Sequence, residues 1–301
     1  RGRRGDAVFG DHVHQVADGV LSCGAGEGEL AGGTLVVGAG LGQELRGNGV
    51  VLGAIARAFA ELDLTRENTV VVTGIGCWGK ADDYVTTNSF HGTHGRALAF
   101  GTGIKLANPQ LDVVVLMGDG DGVTIGGNHF IHAARRNVDV TAIVVNNLNY
   151  GMTGGQYSAT TPETRITSTS RLGHIEQGFD ICKLAEAAGA PFVARATPFN
   201  PVQMKNLIRD GMRKKGFSMI EVIAPCPTHY GRNNGFKSAP EMLRWFDERS
   251  IGVEKARQMA PDELADKIVV GKMVDRESED YGTKYRRIQQ EAQRRERGDG
   301  R

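Results

Sequence analysis

A carboxylate and an amide follow two neighbouring apolar runs in this 301-residue chain. Residues 111–117 lead into Gly118-Asp119-Gly120, and residues 140–145 lead into Asn146-Asn147. Such runs are typical of buried parallel strands, and open α/β sheets bind their ligands at the carboxyl ends of the strands. Mg²⁺ prefers oxygen ligands such as those of the aspartate and asparagine side chains, and glycine lets the backbone approach a phosphate closely. The pattern predicts a divalent cation held against a diphosphate.

This arrangement resembles the signature of thiamine diphosphate enzymes, in which Gly-Asp-Gly is followed farther along the chain by Asn-Asn. The resemblance implies that Asp119, Asn147 and the backbone carbonyl of Asn149 ligate Mg²⁺. The alternative is an ordinary strand, turn and helix with a capping aspartate. That alternative accounts for Gly-Asp-Gly alone, but it gives no reason for Asn-Asn at the end of the next strand.

The remaining apolar patterns predict the elements that would position this site. Residues 50–62 carry apolar side chains at helical spacing, and residues 69–73 have the composition of a strand. Farther along, helices are predicted at 97–107, 179–188 and 201–215, and strands at 192–196 and 218–224. This alternation predicts an α/β fold, a mostly parallel sheet with helices on both faces, and the resemblance implies that it is the thiamine diphosphate-binding fold.

The composition indicates a chain that can bury a full hydrophobic core. Hydrophobic residues make up 40% of the sequence and the net charge is +1, so neither a nucleic acid nor a membrane surface is an expected partner. No apolar run approaches the roughly 20 residues that span a bilayer, and no signal peptide is visible, so we expect a soluble, cytoplasmic protein. The four cysteines include no C-x-x-C pair, which favours thiols or metal ligands over a disulfide framework.

Two of the cysteines are predicted to lie at the same edge of the sheet. Cys77 follows the strand at 69–73 within a glycine-rich segment, and Cys226 lies between two prolines after the strand at 218–224. If these strands are parallel, both thiols lie at the edge that carries Asp119.

A turn with two histidines precedes the helix at 97–107. The amides of residues 93–95 are placed to help bind a phosphate, with His94 as a hydrogen-bond donor. The alternative is that His91 and His94 are only surface or capping residues.

The motifs together resemble the β subunit of 2-oxoacid:ferredoxin oxidoreductases, and the likeness runs from residue 47 to residue 232. They are Gly74-Ile75-Gly76-Cys77, the histidine turn at 91–97, Gly118-Asp119-Gly120-Asp121, Gly126-Gly127-Asn128-His129, the segment 150–156 and Pro225-Cys226-Pro227-Thr228. In that family the subunit binds thiamine diphosphate, Mg²⁺ and a [4Fe-4S] cluster, and it works with an α subunit. The resemblance implies oxidative decarboxylation of a 2-oxoacid, with coenzyme A accepting the acyl group and ferredoxin the electrons.

Family positions can be carried over to individual residues of this chain. Lys80 matches a position where some relatives hold the distal carboxylate of 2-oxoglutarate, which favours that substrate, although a merely exposed lysine is the alternative. Lys80 and His94 are the expected catalytic residues, and Cys77 and Cys226 the expected cluster ligands. The residues expected to contact the cofactor are Ile75, Gly76, Cys77, Trp78, His94, Gly118, Gly120, Gly151 and Met152.

The sequence departs from the family at the cluster. A [4Fe-4S] cluster needs four thiolates, and the family's C-x-x-C pair falls here on Gln43 and Arg46, neither of which can replace a thiolate. Cys23 with an external group could supply one ligand, or the chain could have lost the cluster. The favoured hypothesis is that residues 1–46 come from a wrong reading frame, because twelve of them are glycine and family-like sequence resumes at Gly47.

Three regions and three functions are therefore considered. We expect an atypical glycine-rich segment at 1–46, the cofactor-binding domain at 47–232, and an extension at 233–301 with short helices at 240–246 and 261–270 and a charged tail from 276. The leading function is the oxidoreductase subunit, an enzyme acting on the oxo group of 2-oxoacids. The alternatives are a decarboxylase or synthase without a cluster and a non-catalytic structural subunit.

Overall fold

One eight-stranded sheet forms the centre of the structure, a computed structural model that describes residues 46–297. The strands are β1 (Thr69–Thr73), β2 (Asn88–His91), β3 (Asp112–Gly118), β4 (Thr141–Asn146), β5 (Phe192–Ala196), β6 (Ser218–Ile223), β7 (Ser250–Gly252) and β8 (Ile268–Asp275). Their order in the sheet is β2-β1-β3-β4-β6-β5-β8-β7, and every neighbouring pair is parallel except β5 with β8. The predicted α/β fold with a mostly parallel sheet is confirmed.

Helices cover both faces of the sheet. They are α1 (Arg46–Glu61), α2 (Ala97–Ala107), α3 (Gly127–Arg136), α4 (Ile181–Ala187), α5 (Pro201–Arg213), α6 (Ala239–Glu248), α7 (Val253–Ala256), α8 (Pro261–Leu264) and α9 (Tyr281–Glu296). Buried apolar side chains of α1 and α5 pack with one face of the central strands, and those of α2, α3 and α4 pack with the other. Within residues 46–297, no helix has the length and apolarity needed to cross a membrane.

Local sequence explains where the helices beside the site begin. Asp180 caps α4 by accepting hydrogen bonds from the amides of Cys182 and Lys183, and Asn200 caps α5 in the same way. Pro201 occupies the first turn of α5, where its missing N–H has no intrahelical partner to lose. Side-chain caps of this kind satisfy amides that a helix leaves open, so both helices begin at defined residues.

The C-terminal extension differs from its prediction. The sequence predicts one helix over residues 261–270, but α8 ends at Leu264 and β8 begins at Ile268. The β-branched run at the start of β8 favours a strand, and β8 pairs antiparallel with β5, so the extension shares the main sheet. The tail expected from residue 276 contains α9, which has no fully buried side chain. The two short strands β2 and β7 are not predicted by the sequence pattern.

The topology brings four strand ends to one edge. The parallel register sets Gly118 beside Val145 and Asn146 beside Ile223, so β1, β3, β4 and β6 finish at the same side of the sheet. The chain moves outward from β1 to β2 and then returns to β3 on the other side of β1. The crevice beside such a reversal is where open α/β sheets bind ligands.

Candidate cofactor and metal site

Asp119 lies at the centre of this edge, directly after β3. Its side chain is only 1% exposed, and its Oδ1 accepts a hydrogen bond of 3.0 Å from the amide of Asn147. Its Oδ2 accepts hydrogen bonds from the hydroxyls of Ser158, at 2.5 Å, and Thr160, at 2.8 Å. Burial raises the pKa of this carboxyl, and the three hydrogen bonds only partly oppose that rise. A cation beside Asp119 would offset the cost of keeping the charge buried.

The chain after β4 supplies further oxygen atoms beside Asp119. Asn147 is 8% exposed and donates its Nδ2 hydrogen to the carbonyl of Ala224 at 2.9 Å, which leaves its amide oxygen as the atom that can bind a cation. Leu148 adopts a left-handed backbone conformation with φ of 61°. This conformation, unusual for a leucine, bends the chain between Asn147 and Asn149.

Two buried oxygen atoms near the site have no hydrogen-bond partner within residues 46–297. They are Oδ2 of Asp121 and Oδ1 of Asn149, on side chains that are 3% and 2% exposed. Buried polar atoms are nearly always hydrogen-bonded in folded proteins, so each such atom calls for an explanation. A bound polar ligand or cation at this edge would provide one.

Asp121 organises the turn that carries His94. Its Oδ1 accepts the amide hydrogen of Gly95 at 2.6 Å and lies 2.6 Å from Nδ1 of His94. Because a carboxylate only accepts, Nδ1 carries the hydrogen and Nε2 is the ring nitrogen left for a ligand. The Gly95 amide, which is expected from the sequence to help bind a phosphate, is already donated to Asp121 and is not available for that role.

Close packing fixes the glycines of the motif. A β carbon on Gly120 would lie 2.3 Å from the ring of Tyr150, whose hydroxyl donates a hydrogen bond of 3.3 Å to the Gly120 carbonyl. A β carbon on Gly74 would lie 2.1 Å from the Asp121 carboxylate. Side chains at these two positions would require the buried groups to move.

The two predicted strand-end cysteines do converge. Their sulfur atoms lie 3.3 Å (Cys77) and 3.5 Å (Cys226) from the place that a β carbon on Gly151 would occupy. Both residues are half-buried. Gln43 lies outside the described residues, and neither glutamine nor arginine has a thiolate to offer iron. At this edge the described residues thus supply two of the four thiolates that a [4Fe-4S] cluster needs, and they do not by themselves fit that group.

Lys80 lies in a short helical turn, Trp78–Tyr84, beside the same edge. Its side chain is 59% exposed, and its ammonium contacts Asp83 at 3.0 Å. The hydrogen bond and charge of Asp83 raise the pKa of Lys80, so the group is cationic at neutral pH. Trp78 is buried, and its Nε1 has no hydrogen-bond partner within residues 46–297.

The other predicted contact residues also lie at this edge. Gly118 is the last residue of β3, and Gly76 adopts a φ of 127° in the segment after β1. Ile75 is 38% exposed and Met152 is 51% exposed, so both apolar side chains are open to a ligand or a partner. Contact between these four residues and the cofactor stays a prediction, which is based only on the resemblance.

Sequence reasoning missed the hydroxyls that hold Asp119. Ser158 and Thr160 belong to a polar segment, rich in serine and threonine, that the sequence pattern assigns to neither a helix nor a strand. Both are nevertheless buried, at 0% and 4% exposure. Closely spaced serine and threonine residues next to a metal motif were the available signal, but a strand-period or helix-period pattern does not detect them.

The chemistry of the donor set fits thiamine diphosphate and Mg²⁺. The carboxylate of Asp119 and the amide oxygen of Asn147 are hard oxygen donors. Among the ion pairs formed by residues 46–297, none involves Asp119, so that part of the chain offers the buried carboxylate no positive partner. A divalent cation would supply the missing charge.

Comparison with known proteins places these residues in a wider context. Residues 70–222 match the family described as thiamine pyrophosphate enzyme, C-terminal TPP binding domain. The 2-oxoglutarate synthase subunit KorB of Methanocaldococcus jannaschii is 48% identical over 235 residues, which cover 78% of this chain and 87% of that protein. The subunit of the same name from Archaeoglobus fulgidus is 57% identical over 182 residues, or 60% of this chain and 68% of that protein.

A solved structure is also similar. It is the 2-oxoglutarate:ferredoxin oxidoreductase from Magnetococcus marinus with 2-oxoglutarate, coenzyme A and succinyl-CoA bound. The superposition has a TM-score of 0.73 at 28% identity and covers 81% of this chain and 84% of that one. The similarity thus extends well beyond the short motifs at the sheet edge.

Proposed function

This chain belongs to the β-subunit family of the 2-oxoacid:ferredoxin oxidoreductases, and we propose that its substrate is 2-oxoglutarate. The reaction is oxidative decarboxylation to succinyl-CoA and CO₂, with ferredoxin as the electron acceptor and an α subunit as the partner. The buried carboxylate of Asp119, which has no cationic partner in the described part of the chain, carries the assignment of the cofactor site. The names of the relatives support the choice of substrate.

In this proposal, thiamine diphosphate binds across the carboxyl ends of β3 and β4. Asp119, Asn147 and the backbone carbonyl of Asn149 hold the Mg²⁺ that binds the diphosphate. When bound, the cofactor supplies a nucleophilic carbon for the keto carbon of the substrate and accepts the electron pair released as CO₂ leaves. Ser158 and Thr160 keep the Asp119 carboxylate in place by donating to one of its oxygens.

The other residues at this edge orient His94 and form the walls of the site. Asp121 fixes the tautomer and ring position of His94, which presents Nε2 for a hydrogen bond to cofactor or substrate. Tyr150 packs on the glycine backbone and donates to the Gly120 carbonyl, so this wall of the site is rigid. The exposed Ile75 and Met152 side chains would be covered by the ligand or by the α subunit.

We assign no electron-transfer step to this chain, because the described residues at this edge supply only two of the four thiolates for a cluster. Cys77 and Cys226 remain the proposed ligands from this edge. Co-expression with the α-type subunit without oxygen, followed by iron and sulfide analysis, tests whether further ligands exist. About four of each per β chain would establish a cluster. If none is found, restoring cysteines at Gln43 and Arg46 tests whether those two positions account for the loss.

The same complex tests the proposed activity. We expect thiamine diphosphate to bind in the presence of Mg²⁺ and not in EDTA, as measured by calorimetry. We also expect 2-oxoglutarate and coenzyme A together to give succinyl-CoA with reduction of ferredoxin. Cofactor binding and CO₂ release without ferredoxin reduction would favour the decarboxylase alternative. Failure to bind the cofactor would overturn the proposal.

Lys80 gives a prediction about the choice of substrate. A positive charge at this position suits the distal carboxylate of a dicarboxylic 2-oxoacid, so K80A should raise the KM for 2-oxoglutarate by about tenfold. The KM for pyruvate, which lacks that carboxylate, should change less than twofold. D83N is the matched control, since it removes the ion pair but keeps the ammonium. Equal changes for both substrates would show that Lys80 does not select between them.

A further inference from the structure

A buried network of charges lies below the site, between β5, β6 and α4. Arg195 is 9% exposed and donates hydrogen bonds from Nε to Glu221 at 2.6 Å and from Nη2 to Asp180 at 2.5 Å. Glu221 is 1% exposed, and its Oε2 also accepts from the thiol of Cys182 at 3.4 Å. Burial alone would lower the pKa of Arg195, but the negative charge of Glu221 raises it, so the guanidinium stays charged. Oε2 of Glu221 is therefore committed to accepting.

The other oxygen of Glu221 connects this network to the metal motif. Oε1 accepts a hydrogen bond of 2.8 Å from Nδ2 of Asn146, the first residue of Asn-Asn. This bond turns the amide oxygen of Asn146 toward the amide of Leu148, which donates to it at 3.0 Å. The same oxygen lies 2.9 Å from the hydroxyl of Thr160, one of the two hydroxyls on Asp119.

Leu148 needs such support because of its backbone conformation. Its φ of 61° is in the left-handed region, which is unfavourable for a residue other than glycine. The Asn146 side chain holds its amide, and the hydroxyl of Thr161 donates to its carbonyl at 2.7 Å. This turn sets the relative positions of Asn147 and Asn149, the proposed ligands on either side.

We infer that Glu221 is a positioning residue for the Mg²⁺ and thiamine diphosphate site. It fixes the orientation of the Asn146 amide, and through it the Leu148 turn that presents Asn147 and Asn149. This inference rests on the proposed cofactor site, but it assigns a role to a residue that is not itself one of the proposed ligands. Arg195 holds Glu221 in place through the hydrogen bond from its Nε.

The substitution E221Q tests this role with little change of shape. Glu221 accepts on both oxygens, whereas glutamine has one accepting and one donating end. Arg195 requires the accepting end, so the donating end of the glutamine faces Asn146 and forces that amide to reverse. The reversed amide then turns Nδ2 toward the N–H of Leu148, and a donor meets a donor.

The measurement is Mg²⁺-dependent binding of thiamine diphosphate to the assembled complex, followed by calorimetry beside thermal denaturation. We expect E221Q to weaken binding by about tenfold or more, as is common when a residue behind a metal ligand is changed. D180N is the matched control, because it removes the other carboxylate on Arg195, keeps a capping side chain on α4 and does not touch Asn146. Its affinity should stay within twofold of wild type even if its melting temperature falls.

A second substitution distinguishes an effect of hydrogen-bond direction from a general disruption of the structure around residue 221. In the double variant E221Q/N146D, the new carboxylate accepts from both the side-chain amide at position 221 and the Leu148 amide. Affinity should then return to within about threefold of wild type. Three results would each overturn the inference: E221Q binds the cofactor with wild-type affinity, E221Q and D180N lose affinity equally, or the double variant does not regain affinity. If the E221Q complex does not assemble, the double variant alone tests the inference. Affinity within about threefold of wild type supports it, and a lower affinity overturns it. Failure of the wild-type complex to bind the cofactor would instead count against the proposed function.

Discussion

The D119N variant is expected to lose Mg²⁺-dependent binding of thiamine diphosphate, with the affinity falling by about a hundredfold. Asparagine keeps the shape of the side chain but removes the negative charge that attracts the cation. The hydroxyls of Ser158 and Thr160 can turn from donating to accepting, so the hydrogen bonds around residue 119 can re-form. The loss should therefore lie in binding rather than folding.

Stability of the cofactor-free complex separates these two effects. Burial raises the pKa of Asp119, so the charged form of this carboxyl is less favourable in the unliganded protein than in water. Removing the charge should change the free energy of unfolding by no more than about 1 kcal/mol. D112N, at the other end of β3, is the control and should bind the cofactor normally. Normal binding by D119N would remove the central metal ligand from the proposal.

The G120A variant is the second change with a large expected effect. Its methyl group would lie 2.3 Å from the Tyr150 ring, much closer than two carbon atoms can approach. Relief requires the ring or the strand-end backbone to move, at a cost of about 1–3 kcal/mol in the free energy of unfolding. Because Asp119 is the adjacent residue, the same movement should weaken cofactor binding by about tenfold or more.

A nearby glycine provides the comparison for G120A. Gly127, the first residue of α3, has open space where a β carbon would be placed. G127A should therefore bind the cofactor as wild type does, with a melting temperature that is unchanged or higher. Chemical denaturation and calorimetry of both variants give the two quantities. If G120A behaves like G127A, the close approach of Tyr150 to the motif does not control the site.

Apolar pattern is enough to predict the frame of the site. β1 and β5 have the residue bounds expected from their β-branched and apolar runs, because both strands are buried on two faces. Parallel pairing then makes strand ends coincide, which is why the positions of Cys77 and Cys226 in the sequence are sufficient to predict that they converge. Predicting this convergence needs only one further rule, that successive parallel strands finish at the same edge.

Contacts between distant residues cannot be predicted in the same way. Ser158 and Thr160 reach Asp119 across 39 and 41 residues of chain, from a loop without periodicity. The role of Glu221 could have been suspected from the sequence, since it is the one charged residue in the strand segment Ser218–Ile223. A carboxylate within a fully buried strand requires polar partners, and Arg195, in the neighbouring strand, is the residue that meets this need.

The sequence pattern does not predict β8 because its antiparallel partner, β5, is remote in the sequence. It follows a proline that indicated a helix start, and the helix it predicted ends after one turn. What decides the strand is the free edge of β5, which offers hydrogen-bonding groups to any extended segment that can reach it. The secondary-structure preferences of the residues in β8 do not reveal that this edge is available.

The pairing of β5 with β8 also affects which strand edges are exposed for aggregation with other copies of the subunit. Residues Phe192–Ala196 are all buried, and without β8 this apolar strand would form an open border able to recruit strands from other molecules. With β8 and β7 in place, the sheet formed by residues 46–297 ends instead in strands of three residues, β7, and four residues, β2. Such short borders give an incoming chain few backbone groups to pair with. The C-terminal extension thus covers the β5 border and leaves short strands at both sides of the described sheet.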